Sequence, residues 1–408
     1  MIMFVLCAAT ASFSSAPPSV LLRCSSASAL TGKTHLEIAQ GLLERTDVMD
    51  AVIECEFTDN APVMVPLCWS TAEWSAKELD ELQWPPLVAA ARRRSAEMRA
   101  LAKQHARPEF KAFGRFKGAQ ALLTALELAH CHTMAVGDGG ELWLVPARAA
   151  YPRSAPSGAS LQVCPESGDL IFVGSMVDAS PARAPPAPPN PLLNLFFLGD
   201  DDDEEENAPG FSVSSGAKTN DELLLTEGWA DENLSSDAFE LPLDVLAAAS
   251  ARVIGEEDAG REDTSWPEMR AQIVDGLRQA GRLPADGYGK VVRARGGASE
   301  ALIASARALS LGGRGVDALG GVSRCIEQIC SAYDEGDAAL PSEYEARAWR
   351  LLALASEDLL SSFPTTAEED AELLEALLIE DSGQLADHRR VQCVRSRLSR
   401  KRCLAELL

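Results

Sequence analysis

Apolar residues recur three and four positions apart over most of this chain, and the exceptions are short and clustered. Between Thr31 and Gln104, "THLEIAQGLLER", "STAEWSAKELDELQW" and "PPLVAAARRRSAEMRALAKQ" carry the helical spacing. The last is opened by proline, which suits a first turn because the N–H it lacks has no partner there. "FKAFGRFKGAQALLTALELAHCHTM" extends the pattern from Phe110 to Met134. The period then shortens. "MAVGDGGELWLVPA" and "SLQVCPESGDLIFVGS" each set two short apolar runs around a Gly-bearing turn, which predicts two β-hairpins. Proline density and seven consecutive acidic residues, Asp200 to Glu206, predict an exposed loop over residues 179–209, since such a stretch has too little apolar surface to bury. From Leu241 onward the helical spacing returns, from "PLDVLAAASARVI" to "LADHRRVQCVRSRLSRKRCLAEL", with no fixed repeat.

One junction is legible in detail. In "KTNDELLLTEGW", Thr219 and Glu222 form a T-x-x-E capping box, Leu223 to Leu225 supply the buried side of the turn, and Gly228 ends it. The motif predicts a short helix. It carries no function by itself.

Composition narrows the setting. The chain has 408 residues, 46% of them hydrophobic, which suffices for two or three domains with substantial cores. A net charge of −24 opposes nucleic acid and anionic membrane surfaces and favours partners with basic or lysine-bearing surfaces. No apolar run reaches 18 residues, so no membrane span is expected. Ten cysteines without a C-x-x-C pair read as free, mostly buried thiols in a reducing compartment. The first 36 residues contain no Asp or Glu, and "MIMFVLCAATASFSSAPPS" passes from a short apolar run to small residues and serines. Residues 1–30 are expected to form a targeting segment, the "ATASF" step resembling bipartite presequences of algal plastids. A disordered N-terminus in a cytoplasmic protein is the alternative.

Several small motifs carry little chemistry. His130, Cys131 and His132 in "HCHT" point in different directions on a helix and have no second ligand pair at zinc-site spacing, so no metal is expected. "GDGG" at Gly137 to Gly140 and "GYG" at Gly287 to Gly289 lack the strand and helix context of a phosphate loop and read as tight turns. The basic stretch "RRVQCVRSRLSRK" reads as one face of a terminal helix, paired internally with the acidic remainder of the chain.

The order of these features resembles the Rubisco large-subunit lysine methyltransferases, a SET-domain protein-lysine methyltransferase family. "SSFPTTAEEDAELL" (Ser361 to Leu374) is similar to a segment of that family's substrate-binding domain, "PLCWSTAEWSAKELDELQWPPL" (Pro66 to Leu87) to the helical insert of its SET domain, and "KTNDELLLTEGWADEN" with the following "ELPLDV" to the end of the SET core and the entry to the helical domain. The resemblance implies an α+β chain: a reduced SET-like β core with a helical insert, then an all-α domain of substrate-binding type. The expected divisions are 31–108 for the insert region, 109–240 for the core remnant and 241–408 for the helical domain.

It also implies S-adenosylmethionine as cofactor and a protein lysine as substrate, and here the chain departs from the family residue by residue. No Gly-x-Gly followed by a strand precedes Pro66, so the first core strands are expected to be missing. Ala125 and Leu126 fall on the family's Ser-Arg pair, and Pro152 and Arg153 on its Asn-His pair. Ser214 and Ser215 replace Ser-Tyr, so that Ser215 stands at the position of the catalytic tyrosine, with Tyr151 a possible substitute. A serine hydroxyl falls a whole ring short of a phenol oxygen, and proline offers no N–H. Asn220 completes the cofactor-side region implied by the family. Two readings follow: a lysine methyltransferase with degenerate motifs, or an inactive SET-like scaffold that binds a protein through its helical domain.

Overall fold

The computed structural model describes residues 19–24, 26–56, 71, 74–112, 114–136, 140–145, 153–154, 160–164, 167–174, 213–214, 218–258, 266–285, 289–292, 297–335, 340–380 and 385–408. The chain is α+β. It forms two compact units, each assembled from two stretches of sequence: Met1–Val63 with Glu109–Gly216, and Met64–Pro108 with Ala217–Leu408.

The first unit holds the larger sheets. Both predicted hairpins form: Thr133–Val136 pairs antiparallel with Glu141–Leu144, and Ser160–Val163 with Leu170–Gly174. Each gains a third strand from near the start of the chain. Leu30–Gly32 pairs with Glu141–Leu144, setting Leu30 against Leu144, while Ser19–Cys24 pairs with Leu170–Gly174, setting Cys24 against Leu170. The expectation that the first core strands are missing is therefore corrected, and residues 19–24 and 30, within the segment read above as a targeting sequence, take part in these strands. Residues 19–24 and 30–32 are strands, and residues 1–18 lie outside the described residues. Serine-rich, acid-poor composition hid the strand signal in "SVLLRC", whose pairing partner lies almost 150 residues downstream.

Cys24, Val145, Leu161, Leu170 and Phe172 pack into one apolar cluster of this unit. Beside the sheets, the helices His35–Glu44 and Ala119–His132 pack on each other. The first buries Ile38, Ala39, Leu42 and Leu43, the i, i+1, i+4, i+5 stripe of an amphipathic helix. His35 and His130 stack across this pair with ring centroids 3.8 Å apart. Cys131 and His132 are buried.

Among the described residues the second unit is helical apart from one antiparallel strand pair, Ala238–Glu240 with Lys290–Val292. The helix Ser342–Ser362 shows why the sequence folds this way. Tyr344, Ala348, Leu351, Leu352, Ala355 and Leu359 line one buried stripe, and the helix packs against Glu300–Ser310 and Leu243–Asp258. It stops at Phe363, whose extended backbone is the conformation that the following Pro364 demands. The next helix, Ala367–Glu380, lies against the last, Leu385–Ala405, through Leu374, Leu377, Val391, Val394 and Leu398. Trp74, Leu79, Leu82 and Trp84 belong to the same core as Leu246, Leu302 and Leu351. Cys24, Cys131, Cys164, Cys325, Cys393 and Cys403 are buried reduced thiols, and Cys330 is half-buried. The acidic and proline-rich segment 179–209 lies outside the described residues, as do Gly137–Asp138–Gly139 and Gly287.

Candidate functional site

Two of the residues matched to the methyl-transfer groups, Arg153 and Ser214, lie on adjacent strands of the first unit. After the strand Glu141–Leu144 the chain returns as a two-residue strand, Arg153–Ser154, which pairs in parallel with Val213–Ser214. The register sets Arg153 opposite Val213 and Ser154 opposite Ser214. Parallel neighbours cannot be joined by a tight turn, so a long connection between them is obligatory. Segments some 60 residues apart, matched separately to the family's Asn-His and Ser-Tyr steps, are thus brought side by side. Tyr151, Pro152 and Ser215 lie outside the described residues. Ala125 and Leu126, on the family's Ser-Arg positions, are fully buried in the helix Ala119–His132.

Asn220 is in the second unit and is occupied otherwise. Thr219 and Glu222 make both bonds of the predicted capping box, and Gly228 closes the helix Asn220–Glu227 in the left-handed region at φ 72°. Within this frame Asn220 is buried. Its amide donates to Asp237 Oδ2 at 2.7 Å and to the Asp231 carbonyl at 2.9 Å, while its oxygen accepts from the Asp231 N–H at 2.8 Å. Both amide hydrogens are spent inside the protein. Asp237, also buried, accepts in addition from the Asn220 N–H at 2.9 Å, the Ala238 N–H at 3.0 Å and the Ser399 hydroxyl at 2.5 Å. A buried carboxylate needs such donors in place of water.

Ser399 belongs to the basic C-terminal helix Leu385–Ala405, on which the other family-like motifs of the second unit converge. Arg389 donates to Glu78 Oε1 at 2.9 Å, and the other oxygen of Glu78 caps the Ser75 N–H at 2.6 Å. Arg397 donates to the Glu81 carbonyl and to Asp370 Oδ1, each at 2.7 Å. Lys401 reaches Asp370 Oδ2 and the Thr365 carbonyl, each at 2.6 Å. Arg400 pairs with Asp221 and lies over the rings of Trp84 and Phe239, 4.8 and 5.3 Å from their centroids. The predicted internal pairing is therefore present. The pairing is also buried: Arg397 and Lys401 are each 1% exposed, and from Val391 to Lys401 the helix is buried or nearly so all round.

The charges on this helix face unequal surroundings. Burial pushes the Asp221 carboxyl above its ordinary range, Arg400 opposes that, and the neighbouring charge of Asp237 adds to it. Glu78 goes the other way. Burial raises it, but the Ser75 N–H and the Arg389 guanidinium together leave it below the usual range. Burial also lowers Lys401 despite its bond to Asp370. The Cys393 thiol is pushed up to about 12, chiefly by burial, so it stays protonated and unreactive.

Three segments that carried the family resemblance thus acquire a physical role. "SAKELDELQW" supplies Glu78, Glu81 and Trp84, "KTNDELLL" supplies Asn220 and Asp221, and "PTTAEED" supplies Thr365 and Asp370. Together they form the anionic and aromatic seat of one arginine-rich helix. Sequence reasoning singled out the helix and the capping box but missed Asp237 and Ser399, which have no local signal. Among the described residues no three His, Cys, Asp or Glu side chains gather as metal ligands, and no helix is long and apolar enough to cross a membrane.

Comparison with known proteins agrees with this architecture. The Rubisco LSMT substrate-binding family matches residues 268–404. Among solved structures, the SET domain of LSMT bound to methyllysine and AdoHcy is 16% identical, with a TM-score of 0.51 over 96% of this chain and 82% of that one. The same domain bound to lysine and AdoHcy is 15% identical, with a TM-score of 0.50 and the same coverage. At these identities the likeness is one of fold. No curated protein sequence matches the chain. The chain thus has the fold of these LSMT structures along its length, and its C-terminal residues 268–404 match the Rubisco LSMT substrate-binding domain.

Proposed function

We propose that this protein is a protein-binding scaffold derived from a SET-domain lysine methyltransferase, with the groups that handled the methyl donor replaced. The observation that carries this reading is an asymmetry. The motif residues that seat the C-terminal helix are present and engaged: Glu78, Asn220, Asp221 and Asp370. The positions matched to methyl transfer instead carry Pro152, Arg153, Ser214 and Ser215.

Transfer of a methyl group from a sulfonium to an amine is an in-line displacement. It relies on alignment of the two centres and on oxygens placed around the polarised methyl. The residues in place do not fit the donor. Asn220 has spent its amide hydrogens on Asp237 and Asp231, Pro152 has no N–H, and a serine at 215 is too short to replace a phenol. No methyl-transfer step is therefore assigned to this chain.

The second reading, a working methyltransferase, is favoured by the side-by-side pairing of Arg153–Ser154 with Val213–Ser214 and by the AdoHcy bound in both similar structures. Titration calorimetry of the full chain with S-adenosylmethionine separates the two. The scaffold gives no heat at micromolar protein, whereas a saturable isotherm restores the enzyme. The full chain is needed because residues 64–108 share a core with the C-terminal helices, and a fragment from 241 onward would lose Trp84 from it. Plastid import is a separate proposal, tested by fusing residues 1–40 to a fluorescent protein, for which a cytosolic signal is the negative result.

A further inference from the structure

The second unit carries an open groove of about 870 Å³ beside the seat of the C-terminal helix, with Trp84 common to both. It lies where the helix Pro85–His105 begins, beside the start of Leu243–Asp258 and the end of Ser342–Ser362. Its hydrogen-bonding character is lopsided. Four prolines line it, Pro85, Pro86, Pro242 and Pro364, and proline contributes a carbonyl but no N–H. The carboxylates of Asp80 and Asp244 line it too, and these only accept. Arg92 is the one cation in the lining, and it already faces Asp80 at 3.6 Å. Val88, Val245 and Leu359 provide aliphatic wall between these acceptors.

The groove also holds the one non-glycine with positive φ among the described residues. Gln83 sits at φ 52°, and its side-chain oxygen accepts from the Thr365 hydroxyl at 3.0 Å. Such a conformation persists only where the surroundings enforce it, and it recurs at binding sites. With two carboxylates to one guanidinium and aliphatic wall between them, the groove complements a cation on an aliphatic stem.

We infer that it binds an extended segment of a partner protein bearing lysine or arginine, with the stem on Val88 and Val245 and the charge at Asp80 and Asp244. The inference rests on the protein-binding reading above and names the chemistry of the partner. A side chain of this kind buries its methylenes and keeps its charged head at the rim.

The test uses the full-length chain and a fluorescent peptide, Ala-Pro-Lys-Ala-Pro-Arg-Ala, with control peptides carrying glutamate or norleucine in place of both cations. Anisotropy should give at least about tenfold tighter binding for the basic peptide than for either control, since complementary charge and desolvated contact act together. Ala89→Trp, at an exposed position of the wall, fills the groove, and the double variant Asp80→Asn/Asp244→Asn removes its charge. Each should weaken the basic peptide about tenfold with the melting temperature unchanged. Absent binding, equal binding of the norleucine peptide, or undiminished binding in both variants overturns the groove. A partner protein bound equally by the native chain and by Ala89→Trp also overturns it, while leaving the protein-binding reading intact.

Discussion

Removing Asp370 tests the most consequential packing decision in the second unit. Its carboxylate is fully buried between Arg397 and Lys401, whose side chains are 1% exposed. Asp370→Ala leaves two cations out of water without their anion. Breaking a buried ion pair from one side costs about 3–5 kcal/mol, because the remaining charge loses its compensation and cannot be rehydrated. For a unit of this size each kcal/mol moves the midpoint by about 2–4 °C, so a fall of roughly 6–20 °C is expected.

A second variant separates net charge balance from hydrogen bonding. Asp370→Leu combined with Arg397→Met and Lys401→Met removes all three charges, and well-packed apolar replacement of a buried triad is often neutral. Here the carbonyls of Glu81, Thr365 and Thr366 would lose their donors, each worth about 1–3 kcal/mol when left unsatisfied, so only partial recovery is expected. Urea unfolding followed by tryptophan fluorescence reads both variants, Trp84 lying against Arg400 in the same core. Because the triad is buried, the loss should change little between low and high salt. A midpoint for Asp370→Ala equal to that of the native chain would refute the account.

Other outcomes follow from single residues. Gly289→Ala should be severely destabilising: φ is +105°, and a Cβ there would stand 2.3 Å from the backbone nitrogen of Leu302, as thermal unfolding of the variant would reveal. Thr219→Ala, which removes the cap of the helix Asn220–Glu227, should cost about 1 kcal/mol in urea unfolding, and much less if water replaces the cap freely. Glu78 and Asp221 should contribute to pH dependence with opposite signs. Glu78 is lowered, so its contribution is present above its ordinary value of 4.5 and is lost as pH falls through the folded value. Asp221 is raised, so the folded state holds its proton longer and its contribution shrinks as pH rises from its ordinary value of 3.8 through the folded value. Unfolding of Glu78→Gln and Asp221→Asn against the native chain across the acid range measures both, and slopes of the same sign would contradict the geometry.

What the sequence by itself determined is what a few neighbouring residues encode. Helix periods, the two hairpins, the Thr219–Glu222 box and the Gly228 stop all arise from contacts within a few positions, or across one short turn, and all were legible. So was the need of an acidic chain to neutralise "RRVQCVRSRLSRK" internally. The choice of partners belonged to the tertiary structure. Arg389 meets Glu78 across 311 residues, Ser399 meets Asp237 across 162, and Arg397 meets Asp370 across 27, separations at which sequence spacing says nothing about distance. The same holds for the strand Ser19–Cys24, which reads as a serine-rich leader until Leu170–Gly174 pairs with it. A buried arginine-rich helix contradicts every local rule of polarity. It is tolerated here because carboxylates, carbonyls and aromatic rings from three distant segments replace the water it gave up.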